Sequence, residues 1–412
     1  MDELFQVSTV EDALIQLLGN LPAAQPEIEE AGLAEAGGRV LAADIVPAVN
    51  LPPFDRSIVD GYAVVARDTF GASEGMPALL EMTGEVKMGE AVAVTVRGGT
   101  TVKIPTGGEL PPGSDAVVML EHTVEMGGIL AVNKPVAPGA NVATAGEDVR
   151  AGEVLLAAGR RLRPADVGAL AGIGISRVPV FRRPAVAVLS TGDELVLPAA
   201  IAGPGQIRDI NTYSLAAAVE AAGGKALRRG IVADRAEALR TALSAALAAA
   251  DMVLISGGSS VGARDFTPEV INSLGGPGVI VHGVSLKPGK PTILAAVDGK
   301  PVYGLPGHPV SALVVFDVLV RPVLRRLSGM EEEPENSGSA VKAVLTKSVR
   351  STPGRTEYIR VTLSAADGMI RAEPLLGKSG SISTLVRADG VFVIPLGMEG
   401  VAQGEIVSVR LF

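Results

Sequence analysis

Apolar strands alternate with helices over residues 182–328, and this alternation limits the fold more than any other feature of the sequence. The run PAVAVLS at 184–190 predicts a buried strand, and NTYSLAAAVEAAGG at 211–224 predicts a helix that ends at two glycines. A second strand, a long helix beginning at Asp234 and a third strand, DMVLIS at 251–256, follow along the chain. Such alternation is typical of a doubly wound, parallel α/β sheet.

Two polar loops come directly after strands of this predicted sheet. STGDEL follows the first strand and carries Glu194, whereas SGGSSVGARD follows the third strand and carries Asp265. Because ligands bind beyond the carboxyl ends of strands in doubly wound sheets, both loops are expected at one binding site. The two carboxylates suit Mg²⁺. Three glycines of the second loop can bring their amides close to a phosphate, namely Gly257, Gly258 and Gly262. A tight turn between strand and helix is the alternative interpretation.

Two further stretches place cations and a helix start in the same domain. LKPGKP puts Lys287 and Lys290 beside rigid prolines, and LPGHPVSA begins a helix at Pro309. Because amides at the start of a helix attract anions, the two stretches together predict an oxyanion pocket. A solvated basic turn and a proline that merely starts a helix are the alternatives. Asp234 also has a purely structural interpretation, which is a capping box with Glu237.

The remaining sequence predicts several other domains. Residues 31–146 are rich in valine, glycine and proline, which predicts a β-rich domain. Residues 1–30 and 147–181 are expected to be helical and to pack together as a discontinuous linking domain. The acidic run at 329–340 predicts a linker, and the short strands of 341–412 predict a small C-terminal β-barrel or sandwich.

Composition excludes several classes of function. Cysteine is absent, which excludes disulfides, thiolate nucleophiles and cysteine-ligated metal centres. The three histidines lie far apart in the sequence, which argues against a histidine-rich metal site or a Ser-His-Asp triad. A net charge of −9 argues against general binding of nucleic acid. With no signal-peptide pattern and no apolar run of the roughly 20 residues that span a bilayer, we expect a soluble, cytoplasmic protein without a membrane partner.

Eight stretches occur in the order found in the molybdopterin molybdenumtransferases, the family that includes bacterial MoeA and the E domain of gephyrin. They are PPFDRSIVDGYAV, PTGGELPPGSDAVVMLE, GEDV, STGDEL, SGGSSVGARDF, KPGKP, LPGHPVSA and GRTEYIRV. The chain resembles this family over nearly its whole length. The resemblance implies four domains, with a MoaB/MogA-like doubly wound third domain and a C-terminal barrel, in an elongated homodimer. It also implies a Mg²⁺-dependent reaction that converts adenylylated molybdopterin and molybdate into molybdenum cofactor and releases AMP.

The resemblance also implies roles for individual residues of this chain. Glu194 and Asp265 would hold Mg²⁺ against the nucleotide phosphates. The residues expected in catalysis are Asp60, Thr106, Asp148, Asp234, Lys287 and Lys290. Those expected to bind the pterin nucleotide and the molybdate are Ser190, Gly257, Gly258, Gly262, Pro306, Pro309, Ser311, Arg355 and Ser383. Thr384 is the alternative to Ser383. The family's cleft lies between the third and fourth domains of one subunit and the second domain of the other.

Two positions depart from the family pattern, and three different functions stay open. His308 stands where asparagine is more common, and Gly283 stands where some members carry another lysine. The α/β domain alone resembles proteins that adenylylate molybdopterin, although the presence of three more domains argues against that activity. The second open function is a non-enzymatic scaffold, like the gephyrin E domain, and the third is insertion of tungstate. A contact with the molybdopterin adenylyltransferase is also expected.

Overall fold

The structure, a computed structural model, describes residues 7–257, 266–330 and 340–412. Up to residue 183 its helices and strands are α1 (Val10–Gly19), β1 (Ile28–Gly32), α2 (Leu33–Ala36), β2 (Arg56–Ser57), β3 (Gly61–Val64), β4 (Ala78–Glu85), β5 (Thr100–Ile104), β6 (Ala116–Met119), β7 (Thr123–Met126), β8 (Ile129–Val132), β9 (Val142–Ala143), α3 (Pro164–Gly172) and β10 (Arg177–Phe181). From there to residue 330 they are β11 (Ala185–Thr191), β12 (Leu195–Val196), β13 (Ile207–Arg208), α4 (Asn211–Ala221), β14 (Lys225–Val232), α5 (Ala236–Ala249), β15 (Met252–Ser256), α6 (Thr267–Asn272), β16 (Pro277–His282), β17 (Leu286–Lys287), β18 (Ile293–Val297), β19 (Lys300–Leu305), α7 (Pro309–Val315) and α8 (Arg321–Leu327). The last segment contains β20 (Ala340–Leu345), β21 (Val349–Arg350), β22 (Thr356–Ala366), β23 (Met369–Pro374), α9 (Ser383–Val386), β24 (Gly390–Ile394), β25 (Gly400–Val401) and β26 (Ile406–Leu411).

The middle of the chain forms a doubly wound α/β unit, as predicted. Its six-stranded sheet has the order β14-β11-β15-β19-β18-β16. One face packs against α4, α7 and α1, and the other packs against α5 and α6. The inner strands β11, β15 and β18 are almost continuously apolar because both of their faces are buried, whereas the edge strand β14 carries Lys225, Arg228 and Arg229. In the described ranges, every helix is too short or too polar to cross a membrane.

The sheet of the α/β unit is mixed, although the sequence predicted a parallel one. Strands β14, β11, β15 and β19 run parallel, but β18 and β16 are antiparallel to their neighbours. Asp298 and Gly299 join β18 to β19, and both have positive φ angles, 49° and 79°. An Asp-Gly pair in that conformation makes a two-residue hairpin, which reverses the chain direction.

The N-terminal region is rich in β-structure, as predicted. Strands β3 to β8 form a six-stranded sheet with apolar residues buried on both faces. Beside it, β1 pairs with β10, and α3 packs on that pair. Helix α1, however, does not pack with α3. Its buried face of Val10, Ala13 and Leu17 lies against the α/β unit instead, so the expected packing of the two N-terminal helical segments is wrong.

The C-terminal segment forms a closed barrel of five strands. Its order is β22-β23-β20-β26-β24, and pairing of β22 with β24 closes it. Strand β17 of the α/β unit adds to the outside of β22, with Leu286 opposite Thr356 and Lys287 opposite Glu357. Leu286 of this strand is the last residue of the apolar run VIVHGVSL, residues 279–286. Gly283, with φ of 100°, interrupts that run and separates β16 from β17.

Candidate active site

The carboxyl ends of β11 and β15 meet a network of buried polar side chains. The Ser190 hydroxyl, at the end of β11, donates to Asp209 Oδ1 over 3.0 Å and lies 2.9 Å from the Thr212 hydroxyl. The Thr212 amide also donates to Asp209 Oδ1 over 3.1 Å. Asn211 Nδ2 donates to Ser256 Oγ, at the end of β15, over 2.7 Å. We refer to Ser190–Glu194, Asp209–Thr212, Asp234, Ser256–Gly257 and Pro306–His308 as the carboxyl edge.

Three buried polar atoms of the carboxyl edge have no hydrogen-bond partner among the described residues. They are Asp209 Oδ2, Asn211 Oδ1 and Thr191 Oγ1. Buried polar atoms are nearly always paired in folded proteins, so this concentration of unpaired atoms requires an explanation. A polar ligand that contacts the edge would supply one. Ser190 was predicted here, whereas no sequence pattern indicated Asp209 or Asn211.

Gly257 links the ends of two strands in a way that requires glycine. Its φ is 100°, and a Cβ atom at this position would lie 2.5 Å from the carbonyl oxygen of Thr191. Its amide donates to the carbonyl of Leu305, at the end of β19, over 3.1 Å. The backbone therefore approaches its protein neighbours closely, which only glycine permits at this φ. The predicted site residues Gly258, Gly262 and Asp265 lie outside the described residues.

Three acids gather at the exposed side of the carboxyl edge. Asp193 Oδ1 accepts a hydrogen bond of 3.1 Å from the Asp234 amide. Partial burial raises the pKa of Asp234, and the negative charges of Asp193 and Glu194 raise it further. Asp234 does not cap a helix, because α5 begins at Ala236 and its N-terminal cap is Arg235, without a side-chain hydrogen bond. The capping-box interpretation of Asp234 and Glu237 is therefore wrong.

The acids of the carboxyl edge do not enclose a metal by themselves. Across the part of the chain that the structure describes, no three His, Asp or Glu side chains come close enough to do so. Their chemistry nevertheless fits Mg²⁺, since they offer carboxylate oxygens, and burial together with the charges of Asp193 and Glu194 disfavours the charge on Asp234. Mg²⁺ usually takes one or two carboxylates and completes its shell with water and phosphate oxygens. An open site of this kind matches that preference.

The predicted lysines lie where the α/β unit meets the barrel. Lys287 and Lys290 are both exposed, and the Lys287 ammonium forms an ion pair with the buried carboxylate of Glu357. Gly283, four residues before Lys287, has a left-handed backbone and donates its amide to the carbonyl of Thr292 over 2.8 Å. A lysine there would adopt a strained φ, which accounts for glycine at this position.

The start of α7 contacts the C-terminal segment, whereas Gly307 and His308 in the preceding loop are exposed. Pro306, Pro309 and Ser311 are buried. The amide of Val310, in the first turn of α7, donates to the carbonyl of Ser379 over 3.2 Å. The His308 ring lies beside Gly380, where a Cβ atom would be 3.4 Å from His308 Cδ2. The Val310 amide, one of the helix-start amides expected to face an anion, therefore already donates to the C-terminal segment.

A buried arginine of the barrel is a candidate that the sequence did not indicate. Arg360 is only 6% exposed, and its Nε and Nη1 atoms have no partner among the described residues. Burial lowers the pKa of this guanidinium. Arg355, the predicted oxyanion ligand, is half-buried at the start of the same stretch, GRTEYIR. Ser383 is exposed at the start of α9, and the hydroxyl of its alternative, Thr384, already donates to the carbonyl of Ser381 over 2.8 Å.

The remaining predicted residues lie in loops of the N-terminal region. Asp60 Oδ1 accepts a hydrogen bond of 2.8 Å from the Thr106 amide, so the structure brings these two together. The amide of Asp148 donates to the carbonyl of Leu51 over 3.1 Å, and all three residues lie at loop positions. The three residues are far from the carboxyl edge in the sequence, and they lie in a region whose strands form sheets other than the α/β sheet.

Three family models match consecutive parts of the chain. Residues 8–174 match the MoeA N-terminal region (domains I and II), residues 187–326 match a probable molybdopterin binding domain, and residues 342–412 match the MoeA C-terminal region (domain IV). Together these matches include the carboxyl edge, Lys287 and Lys290, and the barrel.

Relatives and solved structures match over nearly the full length. Molybdopterin molybdenumtransferase 2 of Mycobacterium tuberculosis (strain H37Rv) is 36% identical over 387 residues, which cover 92% of this chain and 93% of the relative. The molybdopterin molybdenumtransferase of Nostoc sp. is 35% identical, over 93% of this chain and 89% of the relative. A crystal structure of the molybdopterin biosynthesis MoeA protein from Pyrococcus horikoshii OT3 is 34% identical, with a TM-score of 0.83, and the match covers 99% of this chain and 100% of that one.

Proposed function

The chain belongs to the molybdopterin molybdenumtransferase family, transferases of molybdenum cofactor biosynthesis, and from that premise we propose that it inserts molybdate into adenylylated molybdopterin and releases AMP. The observation that carries the proposal is the carboxyl edge. There, unpaired buried polar atoms, exposed carboxylates and a glycine-constrained backbone meet at the ends of parallel strands. Doubly wound sheets bind their ligands at this position.

Mg²⁺ dependence is the second part of the proposal. Glu194 and Asp265 are the residues that would hold the ion, with Asp234 beside Glu194. When bound, Mg²⁺ would neutralise phosphate charge during cleavage of the phosphoanhydride. The repulsion that raises the pKa of Asp234 supports this assignment, because a cation among these acids would relieve it. The backbone of Gly257 can approach the same phosphates closely.

Molybdate requires cationic and hydroxyl donors, and the boundary between the α/β unit and the barrel offers both. Lys287, Lys290 and Ser311 come from the α/β unit, and Arg355 comes from the barrel. We add Arg360 to this set because its guanidinium is buried with two unpaired nitrogens. The fork of N–H donors on arginine suits a tetrahedral oxyanion. Pro306, Pro309 and Ser190 would shape the nucleotide side of the cleft.

Asp60, Thr106 and Asp148 would act from a second copy of the chain. In the family resemblance, the second domain of the partner subunit completes the cleft, and the position of these residues in a region with sheets of its own supports that arrangement. We propose a homodimer for the same reason. Cytoplasmic location and contact with the adenylyltransferase that produces the substrate complete the proposal.

Two incubations distinguish the proposed function from adenylylation, tungstate insertion and a scaffold role. The purified protein receives adenylylated molybdopterin, Mg²⁺ and molybdate, and AMP and molybdenum-loaded cofactor are measured together. Stoichiometric AMP release that requires both ions is the expected result. A parallel incubation with ATP and free molybdopterin tests for adenylylation, and ATP consumption there would overturn the proposal. Replacement of molybdate by tungstate in the first incubation measures the preference between the two oxyanions, and no turnover with either would favour a scaffold.

A further inference from the structure

Lys287 and Glu357 form an ion pair that joins two parts of the fold. Lys287 lies on β17 of the α/β unit, and Glu357 lies opposite it on β22 of the barrel. The Thr356 amide donates to the carbonyl of Ser285 over 2.9 Å, so the backbone holds the two segments together beside the pair. The side chains therefore meet at the boundary where the oxyanion ligands gather.

The two members of the pair have very different exposure. The Glu357 side chain is 4% exposed, whereas the Lys287 side chain is 46% exposed. Glu357 Oε2 has no hydrogen-bond partner among the described residues. A buried carboxylate in that state depends strongly on its cation, because loss of the partner leaves an uncompensated charge. Lys287 is the cation that forms an ion pair with it among the described residues.

We propose that Glu357 is a positioning residue that holds the Lys287 ammonium at the cleft for an anionic ligand. An ammonium has three donors on a flexible four-carbon chain. The buried carboxylate takes one donor and fixes the chain, which leaves the remaining donors for an oxyanion. Some family members carry another lysine at the position of Gly283. This chain has no lysine there, so binding of an anion depends more on the correct placement of Lys287.

The inference rests on the proposed function, but one of its readouts does not. Glu357→Gln keeps the shape of the side chain and removes its charge. Its first test is the rate at which an amine-reactive reagent labels Lys287, followed by peptide mass spectrometry. The amine is then no longer held in the ion pair with Glu357, so we expect labelling of Lys287 to become severalfold faster, with Lys290 unchanged. An unchanged labelling rate at Lys287 would overturn the proposal whether or not the protein releases AMP.

The second test is a double-mutant cycle on AMP release. Glu357→Gln is expected to lower kcat about tenfold, since misplaced catalytic groups lose much of their effect. In a Lys287→Met background the same substitution should have little further effect, because Glu357 acts through the lysine. Equal losses in both backgrounds would show that Glu357 acts by another route. Glu373→Gln is the matched control, since Glu373 pairs with Lys347 on the exposed surface of the same barrel, and it should leave kcat unchanged. Absence of AMP release from the unsubstituted protein would instead reject the proposed function.

Discussion

The charged side chains at the two edges of the central α/β sheet differ in their pairing among the described residues: at one edge they form ion pairs, and at the other they do not. At the amino edge, where β11 and β15 begin, Arg182 donates to both carboxylate oxygens of Asp251 over 3.1 Å, and Asp251 also accepts from the amide of Ala185 over 2.7 Å. Arg183 likewise pairs with Glu220. At the carboxyl edge, Asp193, Glu194 and Asp234 form no ion pair with any described residue, and buried oxygens lack partners.

We infer that the paired charges at the amino edge stabilise the fold, whereas the unpaired acids at the carboxyl edge bind a ligand. Hydrogen bonds to Asp251 raise the pKa of Arg182, so the pair favours its charged state in the folded protein. Burial raises the pKa of Asp234, and the charges of Asp193 and Glu194 raise it further, so the folded protein disfavours the charged form of Asp234. The cavity of about 380 Å³ near the amino edge fits this account, because most of its arginines are already paired with acids. A carboxylate whose charge is disfavoured, as at Asp234, is typical of a functional site.

The largest predicted effect concerns Glu194. If the carboxyl edge holds Mg²⁺ and phosphate, Glu194→Gln should slow AMP release about 100-fold, which corresponds to ~2.7 kcal/mol of transition-state free energy. The measurement is the rate of AMP release as a function of Mg²⁺ concentration, and higher Mg²⁺ should recover part of the loss. Stability should change little, because the side chain is exposed.

Glu237→Gln provides the control for that experiment. Glu237 is an exposed acid in the first turn of the neighbouring helix α5 and pairs only loosely with Arg240, at 3.7 Å. Normal turnover in Glu194→Gln would mean that the exposed acids at this edge do not act in the reaction, and the contrast between the edges would then need another cause.

The second prediction concerns the amino edge. Asp251→Asn removes the charge that Arg182 binds and turns an amide group toward donors, so it should lower the free energy of unfolding by about 2 kcal/mol. Urea unfolding followed by circular dichroism measures this change. AMP release by the folded variant should stay within the error of the unsubstituted enzyme. Asp367→Asn, which breaks an exposed pair with Arg371, is the control and should cost less than about 1 kcal/mol. Equal stability, or slower AMP release by Asp251→Asn, would remove the distinction between the edges.

The sequence predicted the strands of the α/β unit better than its site. The run at 251–256 corresponds to β15 within one residue, because strands buried on both faces are continuously apolar. The reversal at Asp298–Gly299 was missed although this pair is a hairpin signal, since the alternation of strands and helices favoured parallel connections. The sequence placed Ser190 and Gly257 at this edge because they lie at the ends of apolar runs, and the structure has them at the ends of β11 and β15.

Asp209, Asn211 and Glu357 could not be found in that way. Their contacts join residues far apart in the chain: Ser190 with Asp209 across 19 positions, and Asn211 with Gly307 across 96. Short polar residues before a helix also match an ordinary cap, so composition alone gives them no distinct signal. Glu357 occupies a strand position whose partner, β17, is only two residues long. Tertiary pairing, rather than local pattern, brings these residues together.

The smallest predicted effect concerns Asp234→Asn, which should raise the free energy of unfolding, whereas Asp251→Asn should lower it. This prediction tests the comparison of the two edges most directly. The pKa of Asp234 is raised in the folded protein, so its negative charge lowers the free energy of unfolding at pH values above that pKa. The penalty disappears as the pH falls toward the pKa of Asp234 in the unfolded chain, because the group is then protonated in both states. Asp234→Asn should therefore increase the free energy of unfolding at neutral pH, by about 0.5 kcal/mol or less because solvent screens the exposed carboxylate. The gain should shrink in acid, while AMP release at neutral pH falls. Urea unfolding of both proteins at neutral and acidic pH measures the difference. A loss of stability that persists at every pH would show that Asp234 supports the fold, and the carboxyl edge would then resemble the amino edge.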